Sequence, residues 1–445
     1  MCIRDSYYID MNIDLEIYVA GAWHPAASFL IAEQTVAHGH QGQGVLSYSG
    51  AYALAHYEAA DARALSCRYP VGIEHWRAGW PAFLLDLMPT GYGRQKLLAG
   101  LGIAPAGDGP HRDVEVLLTG AGNPIGNVRV AQAAAGMLAA LAGIKGHAGF
   151  TKAQVMQRDE RFLEYAESYG MIVAGESGVS GESPKMLIVE DRNGRWHADG
   201  AVDDARVLGH YIVKFDRGRD ADDRLIVENE APYLEVAREL GLRVGAPIEF
   251  ATNTLLIPRF DRRLAGQAVF RLGMESLYAA AGIAAIGADA KHETFCEVIS
   301  RVCDDPQADI EEYVLRDVLN IALGNKDNHG RNTALLKDVD GSVRLSPMFD
   351  FCPMYKSNSV ITRRTRWTND AGGSPDWNEV AQTLAAMRVD PKALRNRLRG
   401  FGRKLEGVAG IMRAKGVADR IIEERARSIE EQAGRLKMVT GEGVA

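Results

Sequence analysis

The sequence predicts an α+β fold of two or three packed units, with a C-terminal part that is mostly helical. Short β-like runs, such as HYIVKFD at 210–216, are spread over the first 263 residues. From about Leu264 onward helices dominate, and DIEEYVLRDVLNIALG at 309–324 has the clearest helical spacing of apolar residues. A chain of 445 residues is too long for one compact core, so we expect more than one unit.

The composition is that of an ordinary soluble protein. Hydrophobic residues make up 47% and charged residues 24% of the chain, which argues against disordered, fibrous and membrane classes. No apolar run approaches the roughly 18 residues that a membrane span needs. The 58 acidic and 51 basic residues give a net charge of −7, which would repel nucleic acid at long range. We therefore expect neither membrane association nor autonomous DNA binding.

The cysteines and the first ten residues bear on the cellular compartment. The five cysteines are Cys2, Cys67, Cys296, Cys303 and Cys352. Because they form no CxxC pair, they indicate neither a disulfide framework nor a thiolate metal site, and a reducing cytoplasm fits. The stretch MCIRDSYYID (1–10) has charges of both signs and no apolar run, so it is not a secretory signal. We expect it to be a non-native leader before a native start at Met11.

The first predicted unit covers residues 11–150. It mixes β-like runs with one strongly apolar helical stretch, WPAFLLDLMPTGYGRQKLLAGLGI at 80–103. An Ala/Gly-rich stretch at 132–150 follows, which either connects to the next unit or forms a short packed helix. We place a domain boundary near residue 150.

The second predicted unit, 151–263, is a small sheet that carries a helix. It begins with the Gly-rich stretch GESGVSGESPK at 175–185, followed by a hairpin with an RNG turn. A helix is predicted from about Glu228 to Leu240, stopped by Gly241. TNTLLIPRFDRR at 252–263 supplies another strand and a short polar exit.

The third predicted unit, 264–445, is the helical one. Its clearest helix has Asp309 as the expected N-cap, Glu312 as the capping-box partner and Gly324 as the stop. A hairpin with a DG turn follows, and residues 378–438 are two or three charged amphipathic helices. We find no internal repeat.

The stretch GNKDNHGRN, 324–332, gathers polar side chains at the end of that helix. Asp327 and Asn332 have four residues between them, which is the spacing of a catalytic Asp and a metal-binding Asn on the loop of a kinase. Asp350 follows after the hairpin, in the apolar segment LSPMFDFCPM, where a carboxylate is costly unless it is paired or binds a metal. The three side chains together predict a Mg²⁺ site for transfer of a phosphoryl group from ATP.

A simpler interpretation of the Asp327–Asn332 pair alone is a polar loop that ends a helix, because both residue types are common in loops. Asp350 favours the metal site over the simple loop, because a loop that only ends a helix does not require a carboxylate in a separate apolar segment. His329 lies between the pair. Since a hydrogen-bonded structural histidine is at least as good an interpretation, we leave His329 out of the catalytic set.

Two further features fit a phosphate site. The Gly-rich stretch, with Gly178, Val179, Ser180 and Gly181, would let backbone amides approach phosphate, and Lys185 ends it. It is not a Walker A sequence, because Lys185 follows a proline and precedes a methionine.

Lys214 is a charge among the apolar residues of the strand HYIVKFD. It is either an edge-strand lysine or a ligand of nucleotide phosphates, as in the kinase Val-Ala-Ile-Lys strand. Its natural partner is Glu230 on the following helix, with Glu228 and Glu235 as substitutes.

These residues resemble the HipA toxins, which are serine/threonine kinases of bacterial toxin–antitoxin modules. The resemblance runs over nearly the whole chain from Met11. It is carried by the segments LLDLMPTGYGRQKLLAGLGI, GVSGESPKMLI, HYIVKF, NEAPYLEVARELGL, RFDRR, GNKDNHGRN and LSPMFDF. It implies a two-lobed, protein-kinase-like fold with an extra N-terminal subdomain.

The resemblance also implies roles. Asp327 would be the catalytic base, Asn332 and Asp350 the Mg²⁺ ligands, and Lys214 the cation on the ATP phosphates. The backbone at Phe260 would lie near adenine. Pro258 stands where the family usually has an acidic residue, so we infer only backbone contacts to adenine.

Family members can phosphorylate a serine of their own Gly-rich loop. Here the expected position holds Gly178, and Ser177 and Ser180 flank it. Either serine could replace the missing one, because a phosphoserine would add about −1.5 to −2 charge beside the nucleotide. The alternative is that both are simply small polar loop residues.

The resemblance implies a HipB-like helix-turn-helix antitoxin as partner and, through it, operator DNA. It also implies a protein substrate such as an aminoacyl-tRNA synthetase. Two rival functions stay open. One is a catalytically degenerate scaffold that acts as an antitoxin-binding co-repressor, and the other is a metal-dependent phosphoesterase, suggested by the Asp-x-His fragment at 327–329.

Overall fold

The structure is a computed structural model. It describes residues 11–142, 147–173, 185–216, 220–358 and 361–440. Among these residues, no helix is both long enough and apolar enough to cross a membrane.

The N-terminal part is a five-stranded antiparallel sheet with helices packed on it. Its strand order is β4-β3-β2-β1-β5. Along β1 the side chains of Ile13, Leu15 and Ile17 are buried while Asn12 and Asp14 are exposed, the alternation expected of a sheet with one wet face. The strands are β1 Met11–Val19, β2 Ala22–Ile31, β3 Gln43–Tyr48, β4 His75–Gly79 and β5 Val128–Val130. The helices are α1 Gly50–Ala55, α2 Leu84–Leu87, α3 Gly91–Gly100, α4 Asp113–Gly120 and α5 Ala131–Ala142.

The apolar stretch at 80–103 was predicted as one helical segment, and this was wrong. The structure has two helices, α2 and α3, with Pro89 between them. Proline has no amide hydrogen and disfavours helical backbone at the preceding residue, so Met88 is extended, with ψ 137°. In the Ala/Gly-rich stretch, the helix alternative is the one seen, as α5.

The middle part is a second five-stranded sheet, in the order β7-β6-β8-β10-β9. Lys214 lies on β8, the central strand, opposite Lys185 of β6 and Leu255 of β10. The edge-strand interpretation of Lys214 is therefore wrong. The strands are β6 Lys185–Asp191, β7 Trp196–Ala198, β8 Val207–Phe215, β9 Glu249–Ala251 and β10 Thr254–Pro258. The helices are α6 Lys152–Met156, α7 Glu160–Val173, α8 Ala221–Glu228 and α9 Glu230–Glu239.

The C-terminal part is mostly helical, with short strand pairs at its front. The strands are β11 Arg262–Ala265, β12 Ala268–Arg271, β13 Gly273–Ser276, β14 Ala290–Lys291, β15 Ala334–Lys337, β16 Val343–Leu345 and β17 Thr365–Arg366. The helices are α10 Leu277–Ala281, α11 His292–Val302, α12 Pro306–Leu323, α13 Trp377–Thr383, α14 Pro391–Glu406, α15 Val408–Ala414 and α16 Asp419–Lys437. The predicted DG hairpin is β15–β16, with Gly341 at φ 96° in its turn.

The long helix α12 begins earlier than predicted. Asp305, not Asp309, is the N-cap, and its side chain accepts the amide hydrogen of Ala308 at 3.1 Å. Pro306 suits the first helical position because its fixed φ is already helical. Asp309 instead accepts hydrogen bonds from Arg243 and from the amide of Leu345. Gly324 ends the helix with a left-handed φ of 77°, as predicted.

Among the described residues, three large apolar cores and one small cluster hold these parts together. The largest lies in the C-terminal helices, where Val314, Val318 and Leu319 of α12 are fully buried and each contributes about 1.5–3 kcal/mol to folding. A second core fills the first sheet and extends to Ala279 of α10. A third core joins Met137 of α5 to apolar residues of the second sheet. The boundary near residue 150 stays a prediction.

The segment RFDRR, 259–263, follows the second sheet, and its buried charges connect it to Gly126 of the N-terminal part and to Asp199. Asp261 accepts hydrogen bonds from Arg259 at 2.7 and 3.0 Å, from Arg262 at 2.6 Å and from the amide of Gly126 at 2.8 Å. Arg259 also donates to Asp199 at 2.7 Å. Burial raises the pKa of Asp261, but the two guanidinium groups outweigh it and hold that pKa below its usual range.

Replacement of Asp261 by Asn should lower the free energy of unfolding by about 3–5 kcal/mol, because it leaves the buried guanidinium of Arg262 without a counter-charge and leaves Arg259 with Asp199 alone. Urea denaturation at pH 7 measures this. Asp289→Asn, which removes a carboxylate whose side chain is 78% exposed, is the matched control and should leave the midpoint unchanged. An equal, small effect of both substitutions would contradict the role given to Asp261.

Candidate functional site

A cleft lies between the second sheet and the C-terminal part, with about 1080 Å³ of empty space when its part open to solvent is included. Its lining combines apolar side chains with a few ionisable ones, as ligand sites in proteins usually do. The apolar residues come from β6, β8, β10 and the segments that follow β10 and β16: Leu187, Ile212, Ile257, Phe260, Met348 and Phe349. The Phe260 and Phe349 rings lie 5.8 Å apart between centroids. The cleft is therefore suited to a flat, partly apolar ligand.

The ionisable end of the cleft is organised by Lys214. Its Nζ donates to Glu230 Oε2 at 2.5 Å and to Asp350 Oδ1 at 2.9 Å. Lys214 and Glu230 are only 6% and 1% exposed, so neither charge would be stable there without the other. Burial lowers the pKa of Lys214, but the carboxylates of Asp350 and Glu230 outweigh it and hold that pKa well above its usual value.

The same contacts affect the two carboxylates differently. Burial raises the pKa of Asp350, but Lys214 and Lys185 outweigh it, so that pKa is lowered. The pKa of Glu230 is raised by burial, although Lys214 opposes this. Of the three predicted partners of Lys214, the structure places Glu230 on it rather than Glu228 or Glu235.

Asp350 is held in an uncommon backbone conformation. Its φ is 53°, in the left-handed region that residues other than Gly, Asn and Asp seldom adopt. The next residue, Phe351, is fully buried against the ring of Tyr233 on α9, with centroids 5.2 Å apart. This packing fixes the direction of the Asp350 carboxylate towards Lys214.

The loop 324–332 lies directly after α12. Asn332 Nδ2 donates to the Asp327 carbonyl oxygen at 2.9 Å, so the predicted pair is joined within the loop. Asn332 Oδ1 is buried and has no hydrogen-bond donor among the residues that the structure describes. A buried oxygen without a partner is costly and rare, and this one is available to a ligand.

His329 lies beside Asp327. Its Nε2 is 3.3 Å from Asp327 Oδ1, and its Nδ1 accepts the amide hydrogen of Arg331 at 3.3 Å. Burial lowers the pKa of His329, while Asp327 and Asp350 oppose the shift. Because Nδ1 is an acceptor, the proton of the neutral ring is on Nε2, which faces the carboxylate. Sequence analysis left His329 out of the site, but the structure places it next to Asp327.

Asp317 is a buried carboxylate that sequence analysis missed. It lies on α12 and accepts hydrogen bonds from Arg363 at 2.7 and 2.9 Å, from Trp367 Nε1 at 2.9 Å and from Asn328 at 3.3 Å. Asn328 also donates to the carbonyl oxygen of Thr365 at 3.1 Å. Asp317 thus connects the segment 363–367 to Asn328, which directly follows Asp327, by hydrogen bonds to both. Its one sequence signal is a charge among apolar helix positions.

The remaining predicted residues are placed as follows. Lys185, at the start of β6, and Phe260 both line the cleft. Ser177, Gly178, Val179, Ser180 and Gly181 lie outside the residues that the structure describes.

The donor groups were tested for their fit to Mg²⁺. In the part of the chain that the structure describes, no three His, Cys, Asp or Glu residues form a metal-binding group. Asp350 and the unpartnered Asn332 Oδ1 provide one carboxylate and one amide oxygen. Mg²⁺ is typically held by one or two such side chains together with substrate phosphates and water. The residues therefore fit a magnesium ion shared with a nucleotide.

Comparison with known proteins places the chain in a family. A family model described as the HipA-like C-terminal domain matches residues 177–409, more than half of the chain. The protein belongs to this HipA-like family.

One curated relative is the "Putative kinase Y4mE" of Sinorhizobium fredii, which is 31% identical over 134 residues. That match covers 28% of this chain and 31% of the relative, so the two are compared over about a third of the relative's length.

Two solved structures are similar. One belongs to a complex described as the Shewanella oneidensis MR-1 toxin–antitoxin system of HipA, HipB and its operator DNA, with a TM-score of 0.60, 15% identity and 96% of both chains covered. The other is the Helicobacter pylori proinflammatory kinase CtkA, with a TM-score of 0.37, 14% identity, and 52% of this chain and 90% of that one covered. The first match confirms the predicted fold class, a two-lobed α+β fold with an added N-terminal part and a mostly helical C-terminal lobe. The second score is too low to support an argument.

The stability of the loop region should depend on pH through His292. This residue is buried at the start of α11, stacked on Trp367 with centroids 4.6 Å apart, and its Nε2 is 3.4 Å from Asp317 Oδ2. Burial lowers its pKa from 6.5 to about 4, although Asp317 opposes the shift. The folded protein therefore binds this proton less well than the unfolded chain. The resulting stabilisation is complete above pH 6.5 and is lost as pH falls towards 4.

His292→Phe should reduce that loss by about 3 kcal/mol between pH 7 and pH 4, since 2.5 pKa units correspond to this free energy. Urea denaturation at several pH values measures the slope. His75→Gln, at an exposed position of β4, should keep the slope of the original protein. Identical slopes for all three proteins would show that His292 does not carry the effect.

Proposed function

We propose that this protein is an ATP-dependent kinase that transfers the γ-phosphoryl group to a serine or threonine hydroxyl of another protein. The observation that carries the proposal is the buried contact of Lys214 with Glu230 and Asp350. Met348 and Phe349, which precede Asp350, line both this cleft and the pocket that contains Asp327 and Asn332. The fixed ammonium of Lys214 suits the phosphates of a nucleotide. Family membership and the kinase name of the curated relative support the same conclusion.

The cleft provides for the two ends of the nucleotide. Its apolar side chains, with Ile212 and Phe349 among them, suit the faces of adenine, and the backbone near Phe260 suits its edge. Lys185 and Lys214, opposite each other on β6 and β8, suit the phosphates. The backbone amides of 178–181 would cover those phosphates from the Gly-rich loop.

Asn332 Oδ1 and the Asp350 carboxylate would hold Mg²⁺. When bound, the ion would neutralise charge on the transferred phosphoryl group. Lys214 fixes the direction of Asp350, and the hydrogen bond from Asn332 to the Asp327 carbonyl fixes the amide. These contacts prepare both oxygens before any ligand binds.

Asp327 would act as the base. Its carboxylate accepts the proton of the substrate hydroxyl as that oxygen bonds to the γ-phosphorus and the bond to the ADP oxygen breaks. His329 Nε2 would orient the carboxylate by the contact at 3.3 Å. Lys214 remains protonated throughout, since its pKa is held well above neutral pH.

Incubation with γ-labelled ATP, Mg²⁺ and a cell lysate tests the proposal. We expect label on a discrete lysate protein, and Asp327→Gln should reduce the rate about 10²- to 10⁴-fold because the base is lost. Asp340→Asn, at the exposed turn of the β15–β16 hairpin, is the control and should label normally.

The rival functions give different outcomes in this assay. Release of free phosphate without labelled protein would favour a phosphoesterase. No turnover, with retained binding of an antitoxin, would favour a scaffold that acts as a co-repressor.

We further propose that the kinase is the toxin of a toxin–antitoxin module in the cytoplasm. Its partner would be a HipB-like helix-turn-helix antitoxin that carries the complex to operator DNA. The similar Shewanella oneidensis structure is described as a complex of those components, and a net charge of −7 agrees with DNA contact through a partner. An aminoacyl-tRNA synthetase is a candidate substrate.

Self-phosphorylation of the Gly-rich loop is a separate prediction. Mass spectrometry after incubation with ATP and Mg²⁺ should find one phosphate on Ser177 or Ser180. The added charge of about −1.5 to −2 would repel the nucleotide phosphates and lower the activity. The doubly substituted variant, Ser177→Ala with Ser180→Ala, should stay active for longer. An unmodified loop in an active enzyme would instead leave both serines as ordinary loop residues.

A further inference from the structure

The N-terminal part of the protein contacts the catalytic loop through a charged pair. Asp86, on the short helix α2, lies with its Oδ1 at 3.9 Å from Nε of Arg331. Arg331 directly precedes Asn332 and lies four residues after Asp327. A residue more than two hundred positions earlier in the chain thus meets the loop between its two proposed functional side chains.

Arg331 needs such a partner. It is 1% exposed, and in the described part of the chain its Nε and Nη1 atoms have no hydrogen-bond acceptor. Burial lowers the pKa of Arg331, while Asp86 opposes the shift. Within the residues that the structure describes, Asp86 is the one carboxylate within 4.0 Å of this guanidinium. A buried cation without a counter-charge is strongly unfavourable, so Arg331 is stable in this position because Asp86 is there.

Asp86 is itself firmly placed. Its carboxylate accepts hydrogen bonds from the amide and the hydroxyl of Ser276 at 2.9 and 2.8 Å, and Ser276 is the N-cap of α10. Burial raises the pKa of Asp86 to about 6, although Arg331 opposes the shift, so the carboxylate is mostly ionised at neutral pH. The negative charge is therefore present when the protein is folded at pH 7.

The loop around Arg331 is closely packed, so a displacement would reach the site. A Cβ at Gly330 would lie 2.6 Å from ring atoms of Tyr278 and Phe295. The ring of Tyr278, on α10, also stacks on His329 at 6.2 Å between centroids. Hence α10 packs against the loop at the two residues before Arg331, and a shift of Arg331 would move these neighbouring residues with it.

We propose that Asp86 is a positioning residue, through which the N-terminal part holds the catalytic loop in its active geometry. The inference rests on the proposed kinase function, because it assigns Asp86 to the same site. It goes beyond that function in giving the N-terminal part a direct effect on turnover. Asp86 would touch neither substrate nor metal, and would act only through Arg331.

The experiment compares the full-length protein with three variants. Asp86→Asn keeps the shape and one of the two acceptor oxygens for Ser276 but removes the charge, and Asp86→Glu keeps the charge. Ser66→Ala is the matched control, because Ser66 donates across the same N-terminal interface to buried Glu275, whose other hydrogen bonds come from Lys337 and the amide of Cys67 rather than from the loop. For each protein we would measure kcat, the KM for ATP, the melting temperature and the hydrogen-exchange rates of amides 324–332.

For Asp86→Asn we expect a loss of about tenfold to a hundredfold in kcat with an unchanged KM for ATP, the effect of a misplaced catalytic group. Exchange of the loop amides should be about tenfold faster. Asp86→Glu should recover part of kcat, and Ser66→Ala should lower the melting temperature without changing kcat or loop exchange.

Two results would overturn the inference. One is an Asp86→Asn variant whose loop amides exchange at the same rate as in the original protein and whose kcat is also unchanged. The other is an equal loss of kcat in Asp86→Asn and Ser66→Ala, which would indicate a general loss of docking. If the original protein transfers no phosphate, the kinase proposal fails, and the exchange rates alone still decide whether Asp86 holds the loop.

Discussion

The buried ammonium of Lys214 is the interaction on which the arrangement of the site depends. A charge removed from water at the centre of a sheet is tolerated only where carboxylates surround it, and here they come from two other elements. Glu230 ties the first turn of α9 to the sheet, and Asp350 ties the segment after β16. The ionisable end of the cleft thus forms only when three distant pieces of chain are folded together.

A second group of buried charges connects the parts of the molecule to one another. Asp261 joins the segment after β10 to Gly126 in the N-terminal part, and Arg259 reaches Asp199 beside the second sheet. Lys337 on β15 and Ser66 meet at Glu275. Ion pairs at these positions add less net stability than apolar packing would, but their geometry specifies how the parts are placed.

Features that depend on a local sequence pattern could be recognised from the sequence alone. The spacing of Asp327 and Asn332, the apolar surroundings of Asp350 and the lysine of β8 were all readable. Two predictions were wrong in local detail. The break between the helices at Pro89 was not predicted, and Asp309 was taken as the N-cap in place of Asp305 because it also had the pattern of a cap.

Contacts between distant positions were not readable from one sequence. Asp317 looked like an ordinary helix residue, and the pair of Asp86 with Arg331 spans more than half of the chain. His329 was set aside because its neighbours in space could not be known. The role of each of these residues depends on contacts with side chains that come close only in the folded protein.

The position of helix α5 has a consequence for how the protein is made. Met137 and Leu141 of this helix belong to the same apolar core as Leu187 and Val213 of the second sheet. During translation these side chains emerge well before the strands that will cover them. The strands of the N-terminal sheet can pair early. The apolar side chains of its last helix, however, stay exposed to water or bound by another protein until about seventy more residues have left the ribosome.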